Sequence, residues 1–279
     1  MLGSFGTSLN IEGIKNNMAK KTIIANWKNH PESLAQAQEI LDFTNDYLDS
    51  LGDFRELSLV FCPPFVFMEE VAKILQMSHF EHEAFLGAQD IAAEDKTALT
   101  GEISGPMLKR LGVDYVIIGH SERRWKLGES DEVVNHKLKT AIENGLTPVV
   151  CIGEKVRDGG FGKFIEDQVL KTFKGLGPDQ IKRCLIAYEP VWAISTNPGA
   201  KPDTPDSSLE SVNIIRDVLI GNWKLEIRNL PRVLYGGSVS SKNAADFLNR
   251  KEFSGVLVGG ASVNKEEFVK ILEITSKIK

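Results

Sequence analysis

The chain has 279 residues, 42% of them hydrophobic and 25% charged, with a net charge of -5. That is enough for a large core in one or two domains. The mildly acidic balance gives no support for nucleic-acid or membrane binding as the main activity, and no apolar run approaches the ~20 residues that span a bilayer. Three cysteines, Cys62, Cys151 and Cys184, lie in or beside apolar runs without a C-x-x-C pair. Such a sparse, odd set predicts reduced, buried thiols in a cytoplasmic protein.

Residues Met1 to Asn17 are rich in Gly, Ser and Asn and show no period. They lack the basic-then-apolar build of a secretory signal and are expected to form a disordered extension. One catalytic domain is expected over residues 18–279. From residue 21 the chain alternates steadily. Strands are predicted at Thr22–Ala25, Leu57–Phe61, Phe85–Ala88, Tyr115–Ile118, Thr147–Ile152, Leu185–Tyr188, Arg232–Tyr235 and Val256–Val258. Between and after them come helical stretches at Ser33–Tyr47, Val66–Gln76, Met107–Leu111, Asp131–Asn144, Phe164–Lys174, Ser208–Trp223, Asn243–Leu248 and Lys265–Ile274.

The strands are short, continuous apolar runs, as expected of a parallel sheet covered on both faces. Eight such units fit an α/β (β/α)8 barrel, for which about 250 residues is typical, better than an open doubly wound sheet. An open sheet of this length would usually carry G-x-G-x-x-G after its first strand, and none is present. No Pro/Gly/Ser linker splits the repeat, so the pattern reads as one domain.

Barrel enzymes keep their chemistry at the carboxyl ends of the strands. Here the first strand ends Asn26-Trp27-Lys28, the fourth Gly119-His120-Ser121-Glu122-Arg123-Arg124 and the fifth Cys151-Ile152-Gly153-Glu154. The sixth ends on Glu189, and Pro190, which cannot continue a central ladder, follows at once. The seventh ends Gly236-Gly237-Ser238 and the eighth Gly259-Gly260. Taken singly each has a plain alternative: Lys28 a solvated rim charge, His120 a satisfied core histidine, the glycine pairs tight turns, Glu189 a helix cap. Taken together, an ammonium, an imidazole, a carboxylate and two glycine-rich turns converge on one rim. Glycine turns after strands seven and eight are where barrels bring backbone N–H groups to a phosphate. The set suggests a small phosphorylated substrate beside a base and a neutral acid.

N-W-K at 26–28, I-I-G-H-S-E-R-R at 117–124, A-Y-E-P-V-W-A-I at 187–194, Y-G-G-S-V at 235–239 and L-V-G-G-A-S at 257–262 resemble the triosephosphate isomerase family, and the likeness runs from about Lys21 to the end of the chain. The resemblance implies an aldose–ketose isomerase that interconverts dihydroxyacetone phosphate and D-glyceraldehyde 3-phosphate in glycolysis and gluconeogenesis. By that resemblance Glu189 moves the proton between adjacent carbons and His120, as a neutral imidazole, polarises the carbonyl. A helix N-terminus beside His120 would disfavour a second ring proton. Lys28 would offset the enediolate charge and Asn26 would donate a hydrogen bond nearby. Backbone N–H groups of Ser195, Ser238, Gly259 and Gly260 would hold the phosphate, with Ser121, Glu122 and Arg123 orienting the groups in front of them. No metal or organic cofactor is implied. A homodimer is, through the long loop Asp90 to Glu102.

The stretch after Glu189 reads as a lid: apolar Val191, Trp192 and Ile194, then turn-forming residues. It departs from the family's A-I-G-T-G, running Ala193-Ile194-Ser195-Thr196-Asn197-Pro198-Gly199. Ser195 has less conformational freedom than Gly, and Pro198 restricts Asn197. These changes predict altered lid kinetics or a weaker phosphate grip. Residues 29–30 are Asn-His where the family usually has Met-Asn, and no role follows for His30. Rival readings fit less well. An aldolase would want a Schiff-base Lys deep on a central strand, and a metal-dependent epimerase a His/Asp ligand cluster. A Cys151–His120 hydrolase would want an orienting Asp or Asn. A silent barrel kept for binding would be free to lose Lys28, His120 and Glu189.

Overall fold

The computed structural model describes residues 20–51, 57–77, 84–96, 98–194, 200 and 203–278. The expected N-terminal extension and residues 195–199 lie outside them. The eight strands are β1 (Lys21–Asn26), β2 (Leu57–Cys62), β3 (Ala84–Ala88), β4 (Val113–Ile118), β5 (Thr147–Ile152), β6 (Leu185–Tyr188), β7 (Arg232–Tyr235) and β8 (Gly255–Val258). Each pairs in parallel with the next, and β8 returns to β1, closing a barrel in strict chain order. The helices are α1 (Leu34–Leu51), α2 (Met68–Met77), α3 (Gly105–Arg110), α4 (Ser121–Lys126), α5 (Asp131–Glu143), α6 (Phe161–Thr172), α7 (Pro178–Ile181), α8 (Pro205–Trp223), α9 (Ala244–Leu248) and α10 (Lys265–Ser276). The fold is the (β/α)8 barrel expected from the sequence.

Two apolar environments explain why the strands read as unbroken runs. Ile24, Val60, Cys62, Ile117, Val149, Cys151, Leu185, Ala187, Leu234 and Leu257 form one buried cluster. Their strand neighbours Ile23, Phe61, Ile118, Val150, Ile186, Val233 and Val258 belong to a second, larger cluster with the helices. Side chains along a strand alternate in direction. The first set therefore fills the barrel and the second packs outward under the helix ring. The alternation is present, but both sides are dry.

Carrying the inward positions two residues further aims the site. Ile24 is followed at that spacing by Asn26, Ala187 by Glu189 and Leu257 by Gly259, all at the carboxyl ends of their strands. Glu189 N–H donates to the Ile152 carbonyl at 2.8 Å, continuing the β5–β6 ladder one step past β6. Gly153 makes this possible: a Cβ there would lie 1.8 Å from the Glu189 carbonyl oxygen.

Several boundaries and short elements differ from the expectation. The S-E-R-R turn is a helix, α4, capped by the His120 side chain. The predicted second helix opens as a 3-10 turn, Phe65–Phe67, before α2 begins at Met68. α8 starts at Pro205, because Thr204 Oγ1 accepts from Ser207 N–H and a proline suits the first helical turn. α7 has only four residues and shows no period to read.

Candidate active site

Asn26, Lys28, His120, Glu189, Ser238, Gly259 and Gly260 line one cavity of about 290 Å³ at the strand ends. A cavity lined by convergent polar groups in this position is the expected place for a barrel's reaction. Ser195 is outside the described residues.

Glu189 is 2% exposed. Its Oε2 accepts from the Ser121 backbone N–H at 2.7 Å, at the first turn of α4. Its Oε1 lies 3.0 Å from His120 Nε2, yet off the line of the ring N–H, and has no hydrogen-bond partner among the described residues. A buried carboxylate oxygen left unpaired is costly, and such atoms concentrate where a ligand or a reaction uses them. His120 Nδ1 accepts from Glu122 N–H at 3.2 Å. That bond assigns the ring proton to Nε2, the nitrogen facing the cavity and Glu189.

Lys28 sits at φ 56°, in the left-handed region that a lysine adopts at a cost of about 1–2 kcal/mol. Its neighbours hold it there. Lys28 N–H donates to Asn26 Oδ1 at 3.0 Å, and Gln89 Nε2 donates to the Lys28 carbonyl at 2.6 Å. Its Nζ pairs with Glu122 Oε1 at 3.0 Å. Burial pushes the Glu122 carboxyl up, but the Lys28 hydrogen bond and charge, with His120 and Lys126, outweigh it and leave the group below its ordinary value. Glu122 thus touches both Lys28 and the Nδ1 side of His120, at 3.6 Å.

The glycine turns meet β1 through Ser262, whose Oγ donates to the Gly259 carbonyl at 2.7 Å and approaches the Asn26 carbonyl at 3.4 Å. Gly260 opens a 3-10 turn, Gly260–Val263. Ser238 Oγ donates to the Ala193 carbonyl, joining the β7 turn to the stretch after Glu189.

Not every expected residue faces the cavity. Ser121 meets Glu189 and Glu122 meets Lys28, but Arg123 turns away. It pairs with Asp90 and Glu129, each at 2.7 Å, and buried Lys137 completes the group with contacts to both carboxylates. Glu154, placed at a strand end by the sequence but given no role, is 1% exposed and accepts from Tyr188 Oη and Trp192 Nε1, both at 2.9 Å. Cys151 belongs to the barrel interior, where burial first and the Glu189 charge second push its thiol well above its ordinary value. A thiol so held is a poor nucleophile, which counts against the hydrolase reading. Among the described residues no helix is long and apolar enough to cross a membrane, and no group of His, Cys, Asp or Glu has the make-up of a metal site.

A closed parallel barrel with a buried carboxylate, an imidazole and an ammonium around glycine-rich turns defines an acid–base enzyme for a small anionic substrate. Comparison with known proteins makes the class specific. The family model described as triosephosphate isomerase matches residues 21–275. Curated proteins named triosephosphate isomerase align over nearly their full length. That of Carboxydothermus hydrogenoformans is 40% identical, covering 92% of this chain and 99% of its own. That of Saccharopolyspora erythraea is 39% identical over 91% and 96%, and that of Dictyoglomus thermophilum 38% over 92% and 100%. The chain belongs to the triosephosphate isomerase family.

Proposed function

We propose that the chain interconverts dihydroxyacetone phosphate and D-glyceraldehyde 3-phosphate through an enediolate, as one catalytic domain over residues 18–279. The observation that carries this is the Glu189 carboxylate facing His120 Nε2 at 3.0 Å across a cavity shared with Lys28 and the Gly259–Gly260 turn.

Glu189 is the base that removes a proton from one carbon and returns it to its neighbour. One carboxylate on a strand-end tether suits transfer between adjacent carbons. In the structure it accepts from Ser121 N–H and lies 3.0 Å from His120 Nε2, so substrate has to come between these groups and accept the Nε2–H. His120 then polarises the carbonyl as a neutral donor. Lys28 offsets the negative charge that develops on the oxygens, and Asn26 donates alongside it. Backbone N–H groups of Ser238, Gly259 and Gly260 hold the phosphate, and Ser195 is added to them by family resemblance alone. Ser121 and Glu122 orient Glu189 and Lys28.

Two further expectations belong to this proposal. The first is a homodimer: a groove of about 410 Å³ lined by Phe65, Gln89, Glu122 and Leu127 opens beside Lys28 and His120, where a second copy would seal the site. Sedimentation at micromolar concentration tests it. The second is a reducing, cytoplasmic setting, supported by three free, buried cysteines.

The decisive experiment is turnover of glyceraldehyde 3-phosphate by the purified protein, with product coupled to an NADH-dependent reductase, beside Glu189→Gln. A positioned base contributes roughly 10²–10⁴-fold, so the variant should lose at least that much while remaining folded. An active Glu189→Gln would overturn the base assignment.

A further inference from the structure

Glu154 is a buried carboxylate whose Oε1 receives donors from three directions. Tyr188 Oη and Trp192 Nε1 each lie 2.9 Å away, and Arg157 Nη1 lies 2.8 Å away. Tyr188 immediately precedes Glu189 and Trp192 follows it by three residues, so both flanks of Glu189 are tied to one oxygen. Val191 N–H also donates to the Glu154 carbonyl at 3.1 Å. Glu154 Oε2 has no hydrogen-bond partner among the described residues, and the carboxylate's one salt bridge there is made by Oε1, to Arg157.

Arg157 does more than neutralise. Its Nη2 donates to the Ser207 carbonyl and to Glu210 Oε2, both at 2.7 Å, and its Nη1 also donates to Ser211 Oγ. Those three residues lie in the first two turns of α8, the helix that follows the stretch after Glu189. The guanidinium carbon sits 3.9 Å from the centre of the Phe161 ring, at the start of α6. A planar fork can hold a carboxylate on one side and a helix on the other, which a lysine ammonium cannot do.

We propose that Arg157 is a positioning residue for Glu189: acting through Glu154, it fixes Tyr188 and Trp192 on either side of the carboxylate and fastens that assembly to α8. The inference rests on Glu189 being the base. Loss of Arg157 leaves Glu154 buried and uncompensated. The carboxylate must then shift, gain a proton or draw in water, and each response loosens the Trp192 and Tyr188 contacts. A misplacement of about 1 Å can cost on the order of 10²-fold in rate, so a partial loosening should cost about tenfold.

The experiment compares wild type, Arg157→Met, Arg157→Lys, Trp192→Phe and the Arg157→Met/Trp192→Phe double variant. Two readouts are taken: steady-state kinetics on glyceraldehyde 3-phosphate, and the indole N–H signals of tryptophan-¹⁵N-labelled protein, with Trp192 assigned from its own variant. In Arg157→Met, kcat should fall about tenfold with KM within about threefold, and the Trp192 indole proton should exchange faster. In the Trp192→Phe background the same change should cost about threefold or less, because coupled residues are not additive. Arg157→Lys should keep the charge yet recover kcat only in part. A folded Arg157→Met with wild-type kcat and an unchanged Trp192 signal would overturn the proposal, as would full additivity or a Tm loss without a kcat effect. If Arg157→Met does not fold, Arg157→Lys decides: wild-type kcat and indole exchange in it would overturn the proposal. An inactive wild type would instead sink the isomerase reading, while the indole signal would still report whether Arg157 holds Trp192.

Discussion

Glu189 and His120 face each other at 3.0 Å between Oε1 and Nε2, and each is held from behind by α4: Glu189 by Ser121 N–H, His120 by Glu122 N–H. The first turn of one short helix therefore sets the relative position of the two groups. Glu189→Asp tests how closely that spacing is tuned. The shorter side chain keeps the charge but withdraws the carboxylate by one methylene. A shift of that size should lower kcat by about 10²-fold with little change in KM. Steady-state kinetics decide it, and a kcat within a fewfold of wild type would mean that the carboxylate is not acting at a fixed distance.

Gly259 lies where the ammonium stem passes. A Cβ at this position would come 3.2 Å from Lys28 Cε, tighter than ordinary packing. Lys28 has little room to yield, since its backbone is already held at φ 56° and its Nζ is paired with Glu122. Gly259→Ala should therefore push the ammonium off its place while barely disturbing the core. The expected result is a rise of roughly tenfold in KM for the triose phosphate, about 1.4 kcal/mol, with Tm nearly unchanged. An unaltered KM would show that Lys28 can move aside at no cost to binding.

The barrel and most of its rim were legible before any coordinates because dry strands leave unbroken apolar runs and the residues after them stand out. Glu189 could be assigned to a strand end because Pro190 stops the ladder. What stayed hidden depends on contacts made across the fold. α4 has a single apolar residue, Trp125, among its six and a histidine as its cap, so it shows no apolar period. Arg123 adjoins Glu122 in sequence, but successive residues on a helix do not face the same way, and it turns toward Asp90 and Glu129. Arg157 meets Ser207 and Ser211 only because α8, some fifty residues later, packs beside α6, which Arg157 precedes. The left-handed Lys28 has no sequence signal, since lysine does not favour that region.

The buried group around Arg123 carries its own prediction. Lys137, 3% exposed, contacts Asp90 at 2.6 and 2.8 Å and Glu129 at 2.5 Å. Burial already pushes the Asp90 carboxyl above its ordinary value, against the pull of Lys137. Lys137→Met would leave two carboxylates facing one guanidinium. Removing one partner of a buried pair costs about 3–5 kcal/mol. Urea unfolding should show a loss of that order at neutral pH. The deficit should shrink on acidification, because a carboxyl whose folded pKa is raised takes up its proton more readily in the folded state, and protonation removes the uncompensated charge. A deficit that grows as pH falls would contradict this account.

The cysteines set the alkaline limit. Cys62, Cys151 and Cys184 are free and buried. Burial pushes all three thiols up, Cys184 to about 12 from an ordinary 9.0. The unfolded chain loses these protons first as pH rises. The stability they contribute is therefore complete below pH 9.0, the unfolded value, and is lost progressively toward about 12, where Cys184 also ionises in the folded protein. Two measurements check this. A thiol reagent at pH 8 should leave the native protein essentially unlabelled and modify all three cysteines in denaturant. The urea midpoint should hold steady up to about pH 9 and then decline, and a triple Cys→Ala variant, though less stable at neutral pH, should decline less steeply. Rapid native labelling of Cys151 would mean that the barrel interior opens to solvent far more often than its packing allows.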